Sequence, residues 1–306
     1  MSYLLALDIG GTHARLAVQP EGKPVQLCRA PGFTLLQNGP EETFHRCGAL
    51  ISAALTALGE TPAGCAALCC GASGVDDEAS RAQYAAIFEA LGFAKEAVQV
   101  HNDCELPLLA LGRPAVLLAA GTGSLALAQD GAGRLARCGG WGLFTSDEGS
   151  ATRLAWEALA CAVRSWDGVV SAPALTRLLE QEAGLHCPLD AERFARAAIN
   201  DKRQLAALAP LVCRAAEQSD APVLELLDRQ AALLANAAAA AAAKLGLCTP
   251  PVLLWGSLLL KTAALRAPLV HWLTQRGLGP TAPAEQSALD AALALARRAA
   301  AEKGPA

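Results

Sequence analysis

Two short glycine turns carry most of the chemistry that the sequence offers. The first is Asp8-Ile9-Gly10-Gly11-Thr12 and the second is Gly121-Thr122-Gly123-Ser124. Each follows an apolar run and leads into another. Glycine permits positive φ and lets backbone approach a ligand closely. Successive N–H groups in such a turn form a nest for an anion, and Thr12 adds a hydroxyl donor. Asp8, at the end of a buried run, is placed to hold a water of Mg²⁺, an ion that keeps several waters and takes few carboxylates. The competing reading of Asp8–Thr12 is an ordinary hairpin turn that Asp8 caps. The second turn is not a P-loop, because no Gly-Lys-Ser/Thr follows and no helix comes next, and it is not a dinucleotide fingerprint. One such turn is weak evidence. Two, at matching places of a duplicated chain, would pinch one polyphosphate between two domains.

The elements that must position these turns repeat. Strands are expected over 3–8, 14–18 and 25–30, a helix over 40–58, a strand over 66–71, a helix over 79–91, a strand over 98–101 and a helix over 103–111. Gly112-Arg113-Pro114 breaks the pattern. A second meander follows over 115–120, 124–129 and 134–138, with the glycine turn again between its first two strands. That is a weak internal repeat. Beyond Gly142 the chain reads as helices over 148–166, 172–183, 191–199, 202–218 and 221–245. A strand over 251–255, a helix over 259–276, a Gly/Pro-rich hinge at 277–284 and a helix over 287–301 complete it. Strands alternating with helices define an α/β layer.

Length and composition bound the answer. At ~150 residues per domain, 306 residues make about two domains. A hydrophobic fraction of 53% with 18% charged residues supports a large core and argues against general disorder. A net charge of −4 with scattered Lys and Arg argues against nucleic acid or an anionic membrane as the main partner. The 11 cysteines are odd in number and contain no Cys-x-x-Cys pair, so reduced, mostly buried thiols are expected rather than disulfides or zinc. The N-terminal run lacks a basic start, and 233–247 is too short and interrupted to span a bilayer. A cytoplasmic protein is expected.

Four segments then show a resemblance: LLALDIGGTHARLAV (4–18), VHNDCELPLLA (100–110), VLLAAGTGSLALAQDGAGR (116–134) and CGGWGLFTSDEGSATRLAWEAL (138–159). A fifth, PVLLWGSLLL (251–260), is looser. With them the chain resembles the N-acetylglucosamine kinase and BadF/BadG-type ATPase family, within the sugar-kinase, heat-shock-protein and actin superfamily. The likeness runs through nearly the whole chain, and the GGWG…DEGS segment is its specific part. DIGGT alone also resembles bacterial glucokinases, but the cysteine-rich zinc motif of the repressor-type sugar kinases is missing.

The resemblance implies two ribonuclease-H-like α/β domains, 1–113 and 114–285, each with a mixed five-stranded sheet. ATP lies in the cleft between them, and a last helix, 286–303, packs back on the first domain. By position, Gly10, Gly11 and Thr12 match the first phosphate loop, with Asp8 on Mg²⁺ through water. Gly121, Thr122, Gly123 and Ser124 match the second, and Gly256 and Ser257 the adenosine side, where Trp255 replaces a usual glycine. Asp103 matches the catalytic base. Asn102, Asp103, Gly140, Trp141 and Asp147 form the expected sugar side.

The residues themselves are compatible with these roles. Asp103 follows a predicted strand and starts a predicted helix, so its carboxylate can sit at a cleft mouth or cap the helix. Phosphoryl transfer is mostly positioning and charge neutralisation, so an ordinary aspartate suffices as base. Asp147 and Glu148 open a predicted helix, where acidic charge alone contributes ~0.3–1 kcal/mol. Asp147 is read as accepting from sugar hydroxyls, and Trp141 as a wall of the sugar site or a core residue. Arg153 is read as a solvated helix residue. His13, His45, His101, His186 and His271 show no ligand spacing, and Cys104 has no pairing base.

Three departures stand out. Ser146 occupies a usual glycine position, Asp290 replaces a usual glycine near the C-terminus, and the loop 31–39 lacks a clear match to the family's sugar-contacting asparagine: Asn38 is present, but Thr34 or Leu36 aligns better. The expected activity is transfer from Mg-ATP to the 6-hydroxyl of N-acetylglucosamine or glucosamine by a homodimer. The alternative is an ATPase that drives a partner protein, or a sensor that has lost catalysis.

Overall fold

A computed structural model describes residues 2–199 and 201–303. The chain forms two compact units, Met1–Gly112 with Glu285–Ala306, and Arg113–Ala284.

The first unit is built on a five-stranded sheet. Its strands are β1 (Tyr3–Ile9), β2 (His13–Pro20), β3 (Gln26–Pro31), β4 (Cys65–Ala72) and β5 (Val98–Asn102). Their order is β3-β2-β1-β4-β5. β1 pairs antiparallel with β2 and parallel with β4. β1 and β4 are almost wholly buried, as central strands covered on both faces must be. Their near-continuous apolar runs follow from that position. The helices of this unit are α1 (Leu35–Thr56), α2 (Glu78–Ala90), α3 (Leu106–Leu111) and α12 (Ala288–Glu302). α12 packs across β1, β4 and α3, so the end of the chain completes the first core.

The second unit repeats the arrangement. Its strands are β6 (Ala115–Ala120), β7 (Ser124–Gln129), β8 (Leu135–Cys138), β9 (Val252–Trp255) and β10 (Thr281–Pro283). The sheet order, β10-β9-β6-β7-β8, is the first sheet's order with each strand replaced by its counterpart. The directions match too, with β6–β7 antiparallel and β6–β9 parallel. The weak repeat in the sequence is therefore a repeat of topology.

Helices α4 (Ala151–Trp166), α5 (Pro173–Ala183), α6 (Pro188–Ala198), α7 (Lys202–Ala206), α8 (Ala209–Glu217) and α9 (Ala221–Lys244) lie between β8 and β9. α10 (Ser257–Lys261) and α11 (Ala263–Gln275) follow β9. Buried Ala231, Ala235, Ala238 and Ala242 line one side of α9 and let it pack closely on β7 and α11. No described helix is long and apolar enough to cross a membrane.

Several expected elements are corrected. The helix expected over 40–58 begins at Leu35, capped by Thr34, and is interrupted where Gly39 takes φ 73° before Pro40. The one expected over 202–218 is two, because the chain turns between α7 and α8, with Pro210 in the first turn of α8. The one over 259–276 is also two, α10 and α11. The expected hinge at 277–284 holds β10, an edge strand. Pro283 is tolerated there because an edge strand need not donate on its open side.

Candidate functional site

In the first unit the glycine turn is the β1–β2 connection. Gly10 N–H closes it onto His13 O at 3.0 Å. None of Gly10, Gly11, Gly121 and Gly123 has φ in the left-handed region, so these glycines are not there for backbone freedom. One of them is closely packed by a side chain. A Cβ on Gly11 would stand 2.7 Å from Gln37 Nε2. The expected nest is also smaller than read, since Gly10 N–H closes one turn and Gly121 N–H closes the other onto Gly123 O at 2.9 Å. Thr12, Thr122 and Gly123 keep the N–H groups that an anion could use.

Asp8 is the last residue but one of β1, buried, opposite Arg15 in the β1–β2 register. Arg15 donates to Asp8 Oδ2 from Nε at 2.9 Å and also from Nη2. Both contacts fall on one oxygen, which leaves Oδ1 for a water of a Mg²⁺ shell. No group of three or more His, Cys, Asp or Glu side chains that could hold a metal occurs among the described residues. What fits Mg²⁺ is the single buried carboxylate of Asp8 with Arg15 on Oδ2 only, since that ion is usually held by few carboxylates and several waters.

Asp103 lies in the turn after β5. It neither starts nor caps a helix, since α3 begins at Leu106 and Glu105 is its cap residue. That corrects the expected helix over 103–111. Burial, and then the charge of Asp8, push the Asp103 carboxyl up to about 6. A carboxylate near its own titration point is a stronger base than one at the ordinary value. Gly71 on β4 makes room for this turn, because a Cβ there would stand 2.2 Å from Leu106 and 3.3 Å from Asp103 Cα.

Asn102, expected on the sugar side, is committed elsewhere. Its Nδ2 donates to Val75 O at 3.3 Å and Asp76 Oδ1 at 3.2 Å, and its Oδ1 accepts from Cys104 N–H at 3.0 Å. Asn38 is likewise committed, accepting from Thr34 N–H at 3.1 Å. Leu36 is 87% exposed and offers no polar group.

In the second unit the glycine turn joins β6 to β7 and is bolted to the start of α4. Ala151 N–H donates to Gly121 O at 2.8 Å, and Thr152 Oγ1 donates to Thr122 O at 2.9 Å. α4 starts at Ala151 with Ser150 as cap, so Asp147 and Glu148 do not open it as expected. Asp147 instead takes φ 64° in the preceding turn, buried. Its carboxylate stands 3.4 Å from where a Cβ on Gly123 would be. Ser124 N–H approaches its Oδ1 at 3.5 Å, and Lys202 Nζ its Oδ2 at 3.8 Å.

Ser146 ties the two halves of the GGWG…DEGS segment together. Its hydroxyl accepts from Gly140 N–H at 3.1 Å and donates to Glu148 Oε2 at 3.3 Å. Gly149 N–H reaches Gln230 Oε1 on α9 at 2.8 Å.

Trp141 is 64% exposed and is not a core residue. The Arg137 guanidinium lies 4.3 Å from its ring centroid. With Phe144, Ile199, Lys202 and Leu205 it lines a cavity of about 210 Å³. Arg153 is not solvated as expected. It is partly buried, and among the described residues its Nε has no hydrogen-bond partner.

A second cavity, of about 450 Å³, is lined by Gly121, Thr122, Ser257, Cys213, Lys261 and Thr262 among others. Burial pushes the Cys213 thiol up, so it is an inert wall. Gly256 stands at φ 94°, and a Cβ on it would meet Ala120 O at 2.3 Å. Only glycine fits where β9 turns past the end of β6.

Within each unit, then, the sequence-level candidates cluster. Asp8 and Asp103 interact, Gly123 and Ser124 meet Asp147, and Gly121 and Thr122 share a cavity with Ser257. The sequence reading missed Arg15, Glu105, Arg81, Lys202 and Gln230. Arg15 was findable from hairpin register; Lys202 and Gln230 come from distant helices with no local signal.

Two copies of one mixed five-stranded sheet, each with a glycine turn between its first two strands, define the two-domain actin-like ATPase fold. The chain belongs to the BadF/BadG/BcrA/BcrD ATPase family, whose sequence model it matches over residues 5–292. The family resemblance carried by the motifs is thus confirmed. The chain is 29% identical over 171 residues to an N-acetylmuramic acid/N-acetylglucosamine kinase of Clostridium acetobutylicum. That match spans 55% of this chain and 55% of the relative, so about half of the curated relative's length is covered. A crystal structure of a candidate N-acetylglucosamine kinase from Chromobacterium violaceum is 28% identical, with TM-score 0.75 over 97% of this chain and 99% of that one. A glucokinase of the ROK family from Streptomyces griseus, in complex with glucose and AMPPNP, shares the fold at 15% identity and TM-score 0.53, over 97% of this chain and 100% of its own.

Proposed function

We propose that the protein is a sugar kinase that transfers the γ-phosphoryl group of Mg-ATP to the 6-hydroxyl of an amino sugar, N-acetylglucosamine or glucosamine. The observation that carries this reading is Asp103. It is a carboxylate beside Asp8, pushed up to about 6, on a turn that the first unit holds firmly. Family membership and the relatives' names support the same reading.

In this mechanism Thr12 of the first unit and Thr122 and Gly123 of the second supply the N–H groups for phosphate. Gly256 and Ser257 border the nucleoside side. Asp8 would hold a water of Mg²⁺, and the ion when bound would neutralise phosphate charge. Asp147 accepts from acceptor hydroxyls, and Trp141 walls the acceptor. Asp103 takes the proton of the attacking hydroxyl as its oxygen bonds to the γ-phosphorus. The bond from that phosphorus to the β,γ-bridging oxygen breaks, and ADP leaves. The acceptor is a small molecule, and a cytoplasmic homodimer is the expected setting.

The test is a coupled ADP-release assay with Mg-ATP, without sugar and then with N-acetylglucosamine, glucosamine, N-acetylmuramic acid, N-acetylmannosamine and glucose. Strong stimulation by one amino sugar supports the kinase. ADP release indifferent to every sugar overturns it in favour of the second reading, an ATPase that drives a partner protein, which the family also supports.

A further inference from the structure

We propose that Glu105 is a positioning residue for the catalytic base: its carboxylate, locked by Arg81, closes a ring of hydrogen bonds around the turn that carries Asp103. The inference rests on the kinase reading of Asp103. Glu105 makes no claim on substrate; it acts through the backbone on either side of Asp103.

The geometry is closed and buried. Asn102 N–H donates to Glu105 Oε2 at 3.1 Å, and Glu105 N–H donates back to Asn102 O at 3.0 Å. Asp103 and Cys104 are the two residues inside that ring. Arg81, arriving from α2, donates to Glu105 Oε1 at 2.7 Å and to Val100 O at 3.0 Å. One guanidinium therefore joins the carboxylate to the strand that leads into the turn. His101 Nδ1 stands 3.6 Å from Glu105 Oε2. Glu105 is 8% exposed.

β5 is the edge strand of its sheet, paired on one side only. Its last residues have no second strand to hold them, and a loose end there would carry Asp103 with it. Glu105 and Arg81 take the place of that missing strand. Burial alone would raise the Glu105 carboxyl, but His101, Arg81 and the Asn102 N–H outweigh it and hold it below the usual carboxylate range. It stays ionised as an acceptor while Asp103, two residues away, is pushed the other way. A base must stand within hydrogen-bond reach of its proton, and a misplacement of about 1 Å costs on the order of 10²-fold in rate.

The experiment compares wild type with Glu105→Ala, Glu105→Gln and Arg81→Met in the sugar-stimulated assay. Amide hydrogen exchange is followed at Asn102 and Cys104. Glu105→Ala is expected to lower kcat by ~10- to 100-fold with the KM for ATP and sugar within about twofold. Glu105→Gln keeps an acceptor for Asn102 N–H and should restore most of the lost rate. Exchange at Asn102 should quicken in the alanine variant. A folded Glu105→Ala enzyme with wild-type kcat and unchanged exchange overturns the proposal, as does a loss that falls on KM alone. Should Glu105→Ala not fold, Arg81→Met decides: wild-type kcat there overturns the proposal too. If no sugar stimulates wild type, the kinase reading fails, and the exchange result still decides whether Glu105 holds the turn.

Discussion

Arg15 places two donors on a single oxygen of Asp8, Oδ2, across the β1–β2 hairpin. The pair fixes that carboxylate in one orientation at the end of the most central strand of the first unit. After burial, the charge of Asp8 is the second cause that raises Asp103. One ion pair thus lies between the first glycine turn and Asp103, the proposed base.

The first prediction concerns pH. With Asp103 at about 6, the enzyme should lose activity as pH falls through that value, because the protonated form cannot accept a hydroxyl proton. Asp103→Asn should keep nucleotide binding while turnover falls by several orders of magnitude. Asp8→Asn removes the like charge, so the acid limb of kcat/KM should move to lower pH while Mg²⁺-dependent nucleotide use weakens. A pH–rate series on the three proteins checks this; an unmoved limb in Asp8→Asn would remove Asp8 from the coupling.

Stability should run opposite to activity at Asp103. A carboxyl raised from 3.8 to about 6 binds its proton more tightly folded than unfolded. Its destabilisation is absent below about pH 4 and fully present above about pH 6, where it is on the order of 3 kcal/mol. Asp103→Asn should therefore raise the melting temperature at pH 7.5 more than at pH 4. Equal shifts at both pH values would count against a raised Asp103.

Asp147, proposed for the acceptor side, carries a backbone cost. It holds φ 64°, a conformation an L-residue occupies at a cost of about 1 kcal/mol or more. Asp147→Gly should therefore leave the fold at least as stable while the acceptor KM rises by ~10-fold or more. Thermal melting and saturation kinetics on the purified variant separate the two effects. An unchanged acceptor KM would take Asp147 out of the sugar site.

Two glycines with different surroundings give a paired test. Gly256→Ala forces a Cβ to 2.3 Å from Ala120 O at φ 94°, so it should destabilise the second unit by ~2 kcal/mol or more. Gly121→Ala meets nothing within 4 Å and needs no unusual φ, so melting should stay within a degree or two. Its Cβ would instead enter the cavity that Gly121 lines, and on the proposed reading the KM for ATP should rise. Normal ATP kinetics in Gly121→Ala would move the phosphates off that turn.

Much of the fold was legible because it rests on local signals. Residues 115–120 and 124–129 were read to the residue, since apolar runs between glycine turns leave little choice of boundary. Helix starts were less legible. Glu148 reads as a good first-turn residue, yet the chain needs Gly149 packed against Leu234 and Ser150 as the cap, and so delays the helix to Ala151. β10 read as a hinge because Gly and Pro suppress the strand signal, and only its pairing with β9 makes it a strand.

By itself the sequence determined the two glycine turns, the repeated meander, the buried central strands and the family to which the chain belongs. Each is written in spacing and hydrophobic period, which survive without knowledge of any distant contact. Only the tertiary structure decided what surrounds the candidate groups. It set Arg15 on Asp8, Arg81 and Glu105 around Asp103, Lys202 near Asp147, and the committed side chains of Asn102 and Asn38. Those relationships join residues from separate elements. Burial and charge act through space, and the chain order carries no record of which side chains will meet.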